Sequence, residues 1–192
     1  MSHLKALRHE GWRKAIHLSM LVLPVWIVVA PEAWRLRGLL IAFFFLLGVD
    51  LLRLRWKPLG RWLQPRLDGS LRPGEKLGLT SAHYWTLVAC FLAWCGPERL
   101  AAAALAMPIV GDAAAAVVGR RFGRKRYGSK SLEGSAACFA GCMLAGAFFL
   151  PSEPLALAAA AGAATVVEAL PLPVDDNLSV PLVAALVLRW CV

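Results

Sequence analysis

Long apolar runs, one after another with short polar connections between them, constrain this chain more than any other feature. They fall at about residues 15–31, 37–54, 79–96, 99–119, 134–151, 154–170 and, shorter, 179–192, each close to the roughly 20 residues that an α-helix needs to cross a bilayer. Backbone in hydrocarbon must satisfy its own N–H and C=O groups, so such runs read as helices. With 59% hydrophobic residues, 17% charged residues and a mean hydropathy of +0.61, the chain is too apolar for a soluble domain of 192 residues. The expectation is an all-α fold, a polytopic membrane helical bundle of six to seven transmembrane helices, forming a single integral membrane catalytic domain over residues 1–192.

A net charge of +9 suggests nucleic acid, but the placement of the cations excludes that reading. Lys5, Arg8, Arg13 and Lys14 precede the first run; Arg53, Arg55, Lys57, Arg61, Arg66, Arg72 and Lys76 fill the second connection; Arg120, Arg121, Arg124, Lys125, Arg126 and Lys130 fill the fourth. Alternate connections hold only Arg35 and Arg37, then Arg99, then none. The positive-inside rule therefore predicts a multi-pass protein of the inner (cytoplasmic) membrane with its N-terminus and cation-rich connections in the cytoplasm. By the same count, the connection carrying Asp175, Asp176 and Asn177 faces the cytoplasm too. Trp12, Trp34, Trp56, Trp62, Trp94 and Trp190 lie near run ends, where an indole suits the headgroup layer. His83, beside Tyr84 and Trp85, is expected at the interface, and residues 55–78 are expected along it. The basic, apolar start lacks a small-residue cleavage site and reads as an uncleaved first helix. Cys90, Cys95, Cys138, Cys142 and Cys191 form no zinc or disulfide pattern and read as packing residues.

Against that background Asp112 stands out, because a carboxylate in hydrocarbon costs about 2.5–3.5 kcal/mol on insertion scales. Asp112, Ala116 and Gly119 share one helix face, which leaves the carboxylate above a surface with little bulk. The connection that follows carries Gly119, Gly123, Gly128, Lys130 and Ser131 among its arginines. Its spacing nearly matches a P-loop, but the lysine is one residue late and a membrane helix replaces the required strand. The physics of phosphate binding still applies: glycines admit backbone N–H groups to phosphate oxygens, a lysine adds a point charge, and Ser131 and Gly134 open a helix N-terminus. The competing reading is a basic loop touching lipid headgroups. Asp175-Asp176-Asn177 offers hard oxygen ligands suited to Mg²⁺, or else ordinary helix capping with exposed acids. Glu10, Arg13, Lys14 and His17 line one face of the first helix, with His17 in reach of a phosphate or of Asp112. Asp50 with Arg53, Glu75 and Glu168 are further polar groups in or beside apolar runs, most of them expected to pair internally and Glu168 the most suggestive of function, while Glu133 is expected on the same membrane side as Asp112 and Lys130.

Taken in order, these pieces resemble the membrane family of CTP-dependent lipid kinases that includes dolichol kinase, phytol kinase and the fungal-type CTP-dependent diacylglycerol kinase. The residues that carry the resemblance are Glu10-x-x-Arg13-Lys14-x-x-His17, Glu75 with Thr80, Gly111-Asp112-x-x-x-Ala116-x-x-Gly119-x-x-x-Gly123, Lys130-Ser131-x-Glu133-Gly134, Ala164-Thr165-x-x-Glu168, and Asp175-Asp176-Asn177-Leu178-x-x-Pro181. The resemblance implies transfer of the γ-phosphoryl of CTP to the hydroxyl of a membrane lipid alcohol, a polyprenol, a phytol-like alcohol or diacylglycerol, with Mg²⁺ as cofactor. The related phosphatidate cytidylyltransferases share CTP and Mg²⁺, but the Gly-His-Gly-Gly and Asp-Arg-x-Asp elements associated with them are missing here. On this reading Asp112, Lys130, Glu133 and His17 are catalytic. Arg13, Lys14, Gly119, Gly123, Gly128, Lys130 and Ser131 hold the nucleotide. Asp112, Asp175, Asp176 and Asn177 hold the metal, and Glu75, Thr80 and Glu168 meet the substrate. Asp112 has two competing assignments, metal ligand and base for the lipid hydroxyl. A non-catalytic lipid carrier is the alternative from another class, but no internal repeat supports it.

Overall fold

Prolines and glycines punctuate the apolar runs, and the helices begin and end at them. Pro31 and Pro97 stand at the N-caps of two helices and Pro154 in the first turn of a third, while Gly96 closes a fourth and Gly123 closes the helix that Pro97 opens. In a computed structural model, residues 14–67, 71, 75, 78–128, 130–171 and 173–192 are described, without the side chains of 64–67. Helical residues 14–19 (α1) turn at Met20 and Leu21 into α2 (Val22–Val29), followed by α3 (Glu32–Arg55), α4 (Lys57–Leu67), α5 (Ser81–Cys95) and α6 (Glu98–Phe122). A two-residue hairpin, β1 (Arg126–Tyr127) antiparallel to β2 (Lys130–Ser131), then leads to α7 (Leu132–Phe149), α8 (Pro154–Ala169) and α9 (Asp176–Cys191).

The fold is all-α apart from that hairpin. Among the described residues two helices, the 25-residue α6 and the 18-residue α7, are long and apolar enough to cross a membrane. The other apolar helices are shorter or, like α3, carry charges at both ends: α5, α8 and α9 have 15, 16 and 16 residues. Helix α9 starts at Asp176, earlier than the expected run, because Asp175 caps it by accepting the Asn177 N–H.

Helix α6 is the hub. From Leu100 to Ile109 it is buried on every side, with α2, α5, α7 and α9 packed around it. The outward surface is apolar as well: Ile41, Phe44, Phe45, Leu144, Phe148, Leu155 and Leu186 are each more than half exposed. Trp34, Trp56, Trp62, Trp94 and Trp190 are also exposed, whereas Trp85 is buried in the core. His83, expected at the interface, is instead buried beside Asp50 with its ring against Phe43, because a turn at residues 78–80 folds the start of α5 onto α3.

Helices α6 and α7 approach closely, with glycine meeting glycine twice. A Cβ added to Gly119 would lie 3.4 Å from the Cα of Gly134, and one added to Gly141 would lie 3.2 Å from the Cα of Gly111. At Gly111 it would lie 2.6 Å from the Cys142 Sγ. Small residues at this seam let dispersion contacts form between main chains, which is how helices associate without a hydrophobic driving force. Gly111→Val is expected to cost about 1–3 kcal/mol by overpacking. Gly162→Ala, in a helix interior with nothing within 4 Å of the new Cβ, is expected to gain about 0.5–1 kcal/mol. Thermal unfolding of the purified variants checks both signs.

Candidate functional site

Several of the residues singled out in the sequence, Lys14, His17, Lys130, Glu168, Asp176 and Asn177, meet at one end of the bundle around Asp112. Asp112 lies just inside the far half of α6, and the α6–α7 glycine seam draws the hairpin and the start of α7 alongside it. Lys14 on α1 donates from Nζ to Asp112 Oδ2 at 2.5 Å, and His17, one turn on, brings Nε2 to 3.5 Å from the same oxygen. The edge of the His17 ring meets buried Trp85 at a centroid distance of 5.5 Å. On the other side, Lys130 of β2 donates to Glu168 at the end of α8, at 2.7 Å from Oε1, and to the Glu168 carbonyl.

Two neighbouring cavities share Asp112 and Glu168 in their walls. The first is an open cleft of about 160 Å³, lined on its cationic side by Arg120, Arg126 and Lys130 and floored by Ala116, Gly119 and Gly134. The second is a chamber of about 30 Å³ that also touches His17, Asp176 and Asn177. Lys130 and Asp176 therefore open on the same end of the bundle. The cleft concentrates three cations near the N-terminus of α7, a setting that attracts anions. Two carboxylates stand at its border.

Other expected residues have different local roles. Ser131 is buried, caps α7 with its Oγ accepting the Gly134 N–H at 3.1 Å, and also lines the cleft. Gly123 packs against Ser131 and the Gly119 carbonyl, and Gly128 supplies the left-handed φ of +57° for the hairpin turn. Neither lines the cleft, so close packing and turn geometry account for both. Glu133 turns back to the loop, accepting the Lys125 N–H at 3.3 Å, outside both cavities. Asp175 is the α9 cap. Arg13, like Glu10, lies outside the described residues.

Glu75 and Thr80 belong to a separate cluster. Buried Asp50 and Arg53, 3% and 5% exposed, pair along α3 at 3.0 Å. Arg53 also donates to the carbonyls of Glu75 and Gly78, and Asp50 accepts both the N–H and the hydroxyl of Thr80 at 2.8 Å. Glu75 accepts the Ser81 N–H and so caps α5. The Asp50–Arg53 pair agrees with the internal pairing expected of these charges within an apolar run, but the part that Thr80 and the Glu75 and Gly78 carbonyls take in it was not evident from the sequence. Arg120, Arg126 and Trp85 were likewise not singled out, because cations abound in that loop and indoles abound in the chain.

Among the described residues no group of three or more His, Cys, Asp or Glu comes together as a metal cage. Compared with known protein families, curated proteins and solved structures, the chain finds no match.

Removing one member of the buried clamp leaves an uncompensated charge in an apolar interior. Arg53→Met is expected to destabilise the protein by about 3–5 kcal/mol, and adding Asp50→Asn is expected to recover a good part of that. Unfolding midpoints of the single and double variants measure the difference.

Proposed function

We propose that this chain is a multi-pass integral membrane enzyme that transfers the γ-phosphoryl group of CTP to the hydroxyl of a membrane lipid alcohol at the cytoplasmic face. The single observation that carries this reading is the convergence of Lys14, His17, Asp112, Lys130, Glu168 and Asp176, from four separate helices and a hairpin, around two adjoining cavities, one of them a cleft with a cationic wall. The apolar exposed surface and the alternation of Lys and Arg along the chain support the membrane setting. The choice of CTP and of a lipid alcohol rests on the ordered resemblance to CTP-dependent lipid kinases.

Phosphoryl transfer demands positioning and charge neutralisation more than covalent chemistry from the protein. Lys130, Arg120 and Arg126 hold the phosphates in the cleft. In the free protein Lys14 and Lys130 are engaged by Asp112 and Glu168. An incoming triphosphate competes for those ammonium groups, and the exchange releases Asp112 to accept the proton of the lipid hydroxyl. The hydroxyl oxygen then bonds to the γ-phosphorus as the bond to the β-phosphate oxygen breaks, leaving CDP and a lipid monophosphate. Asp176 would hold Mg²⁺, an ion that takes one or two carboxylates plus substrate phosphates, which leaves Asp112 to act as the base. When bound, that ion neutralises phosphate charge.

Membranes containing the protein, given CTP labelled at the γ-position, are expected to label an added lipid alcohol. Label transferred from the α-position instead would mark a cytidylyltransferase, and no transfer from either position would favour a carrier. Lys130→Ala is expected to lower the rate about 10²–10³-fold through lost charge stabilisation, and Asp112→Asn about 10²–10⁴-fold through the lost base. Full activity in purified Asp112→Asn would remove the central assignment.

A further inference from the structure

The small chamber beside the cleft contains a polar group with nothing to bind. Asn177 is 4% exposed, and its Nδ2 is buried with no hydrogen-bond partner among the described residues. Its main chain is fixed, since its N–H donates to Asp175 Oδ1 at 2.9 Å at the start of α9. A buried donor left unsatisfied costs about 1–3 kcal/mol. Asp112, Glu168 and Asp176 share the chamber wall with Asn177, as does apolar surface from Trp85, Pro108 and Val180.

We infer that this chamber seats the acceptor's hydroxyl and that Asn177 Nδ2 donates a hydrogen bond to its oxygen, an inference that rests on the kinase reading above. Size agrees: a water needs about 10–15 Å³, so a chamber of about 30 Å³ takes a hydroxyl with its carbon but no phosphate group. The chemistry agrees too. A hydroxyl has one proton to give and two lone pairs. It gives the proton to Asp112, whose carboxylate borders both cavities, and accepts from Asn177 on one lone pair. The other lone pair is left for phosphorus in the adjoining cleft. The mixed wall matches the end of a lipid alcohol, polar at the oxygen and apolar just behind it. Asn177 thereby touches the acceptor substrate, not the nucleotide or the metal.

The test compares Asn177→Ala, Asn177→Ser and Asn177→Asp in the purified full chain, with geranylgeraniol, phytol or dioleoylglycerol as acceptor, whichever the wild type phosphorylates. If the wild type transfers no phosphate to any of them, the kinase reading fails, independently of Asn177. If it does, Asn177→Ala is expected to lower kcat/KM for the alcohol at least tenfold while the thermal stabilisation by CTP with Mg²⁺ and the Mg²⁺ dependence stay unchanged. Asn177→Ser keeps a donor and is expected to fall between wild type and Ala. Asn177→Asp, which replaces the donor with a fourth carboxylate in the chamber wall, is expected to be no better than Ala. Wild-type acceptor kinetics in Asn177→Ala, a lost CTP stabilisation in a variant that still unfolds cooperatively, or Asn177→Asp outperforming Ala with a lower Mg²⁺ requirement would each overturn the inference. Should Ala fail to fold, Ser against Asp decides: Ser above Asp supports it, and Asp equal or above sinks it.

Discussion

The glycine seam between α6 and α7 is the constraint on which the rest of this structure depends. Two points of glycine-on-glycine contact, Gly119 with Gly134 and Gly111 with Gly141, let the two main chains run nearly in touch. Side chains of ordinary size there would push the helices apart, since interiors are packed too densely to absorb extra carbons without shifts. The hairpin is the connection between these two helices, so their spacing determines where Lys130 can reach. Held this close, the α7 N-terminus and its Ser131 cap sit against the turn of α6 that follows Asp112. The cleft is the space left between that turn, the hairpin and the end of α8.

Charge compensation does the complementary work of tying distant parts of the chain together. Lys14 reaches Asp112 across 98 positions, Lys130 reaches Glu168 across 38, and Arg53 reaches Glu75 and Gly78 across 22 and 25. Exposure separates two kinds of pair. The Asp50 and Arg53 side chains are 5% and 2% exposed and locked by several hydrogen bonds, so water cannot replace either partner cheaply. Asp112 is 39% exposed and Lys130 30%, at the mouth of a cleft, where an anion can compete for the cation. The first kind holds the α3–α5 corner together. The second is the kind of pair a phosphate ligand can open.

Much of the helical layout was legible in the sequence, because apolar runs bounded by proline and glycine leave a chain few options. Asp112 was legible as well: a lone acid in an apolar helix is costly enough to need a reason. The face made by Asp112, Ala116 and Gly119 followed from helical spacing alone, and those three residues do line one cleft. The roles of the loop glycines were not legible. Gly119, Gly123 and Gly128 are identical as letters, yet one floors the cleft, one packs on Ser131 and one turns the hairpin. Likewise Glu133 and Glu168 are both acids beside apolar segments, but only Glu168 meets Lys130.

The sequence by itself determined which stretches are helical, which acids and cations need partners, and where small residues permit close approach, because these depend on local spacing and on the cost of burying charge. Only the tertiary structure decided which partner each charge takes, that Asp175 caps α9 while Asp176 and Asn177 turn toward Asp112, and that one amide is left in a chamber without a partner. Pairing between residues far apart along the chain depends on how helices cross, and crossing is set by the summed packing of all of them rather than by any one segment's pattern.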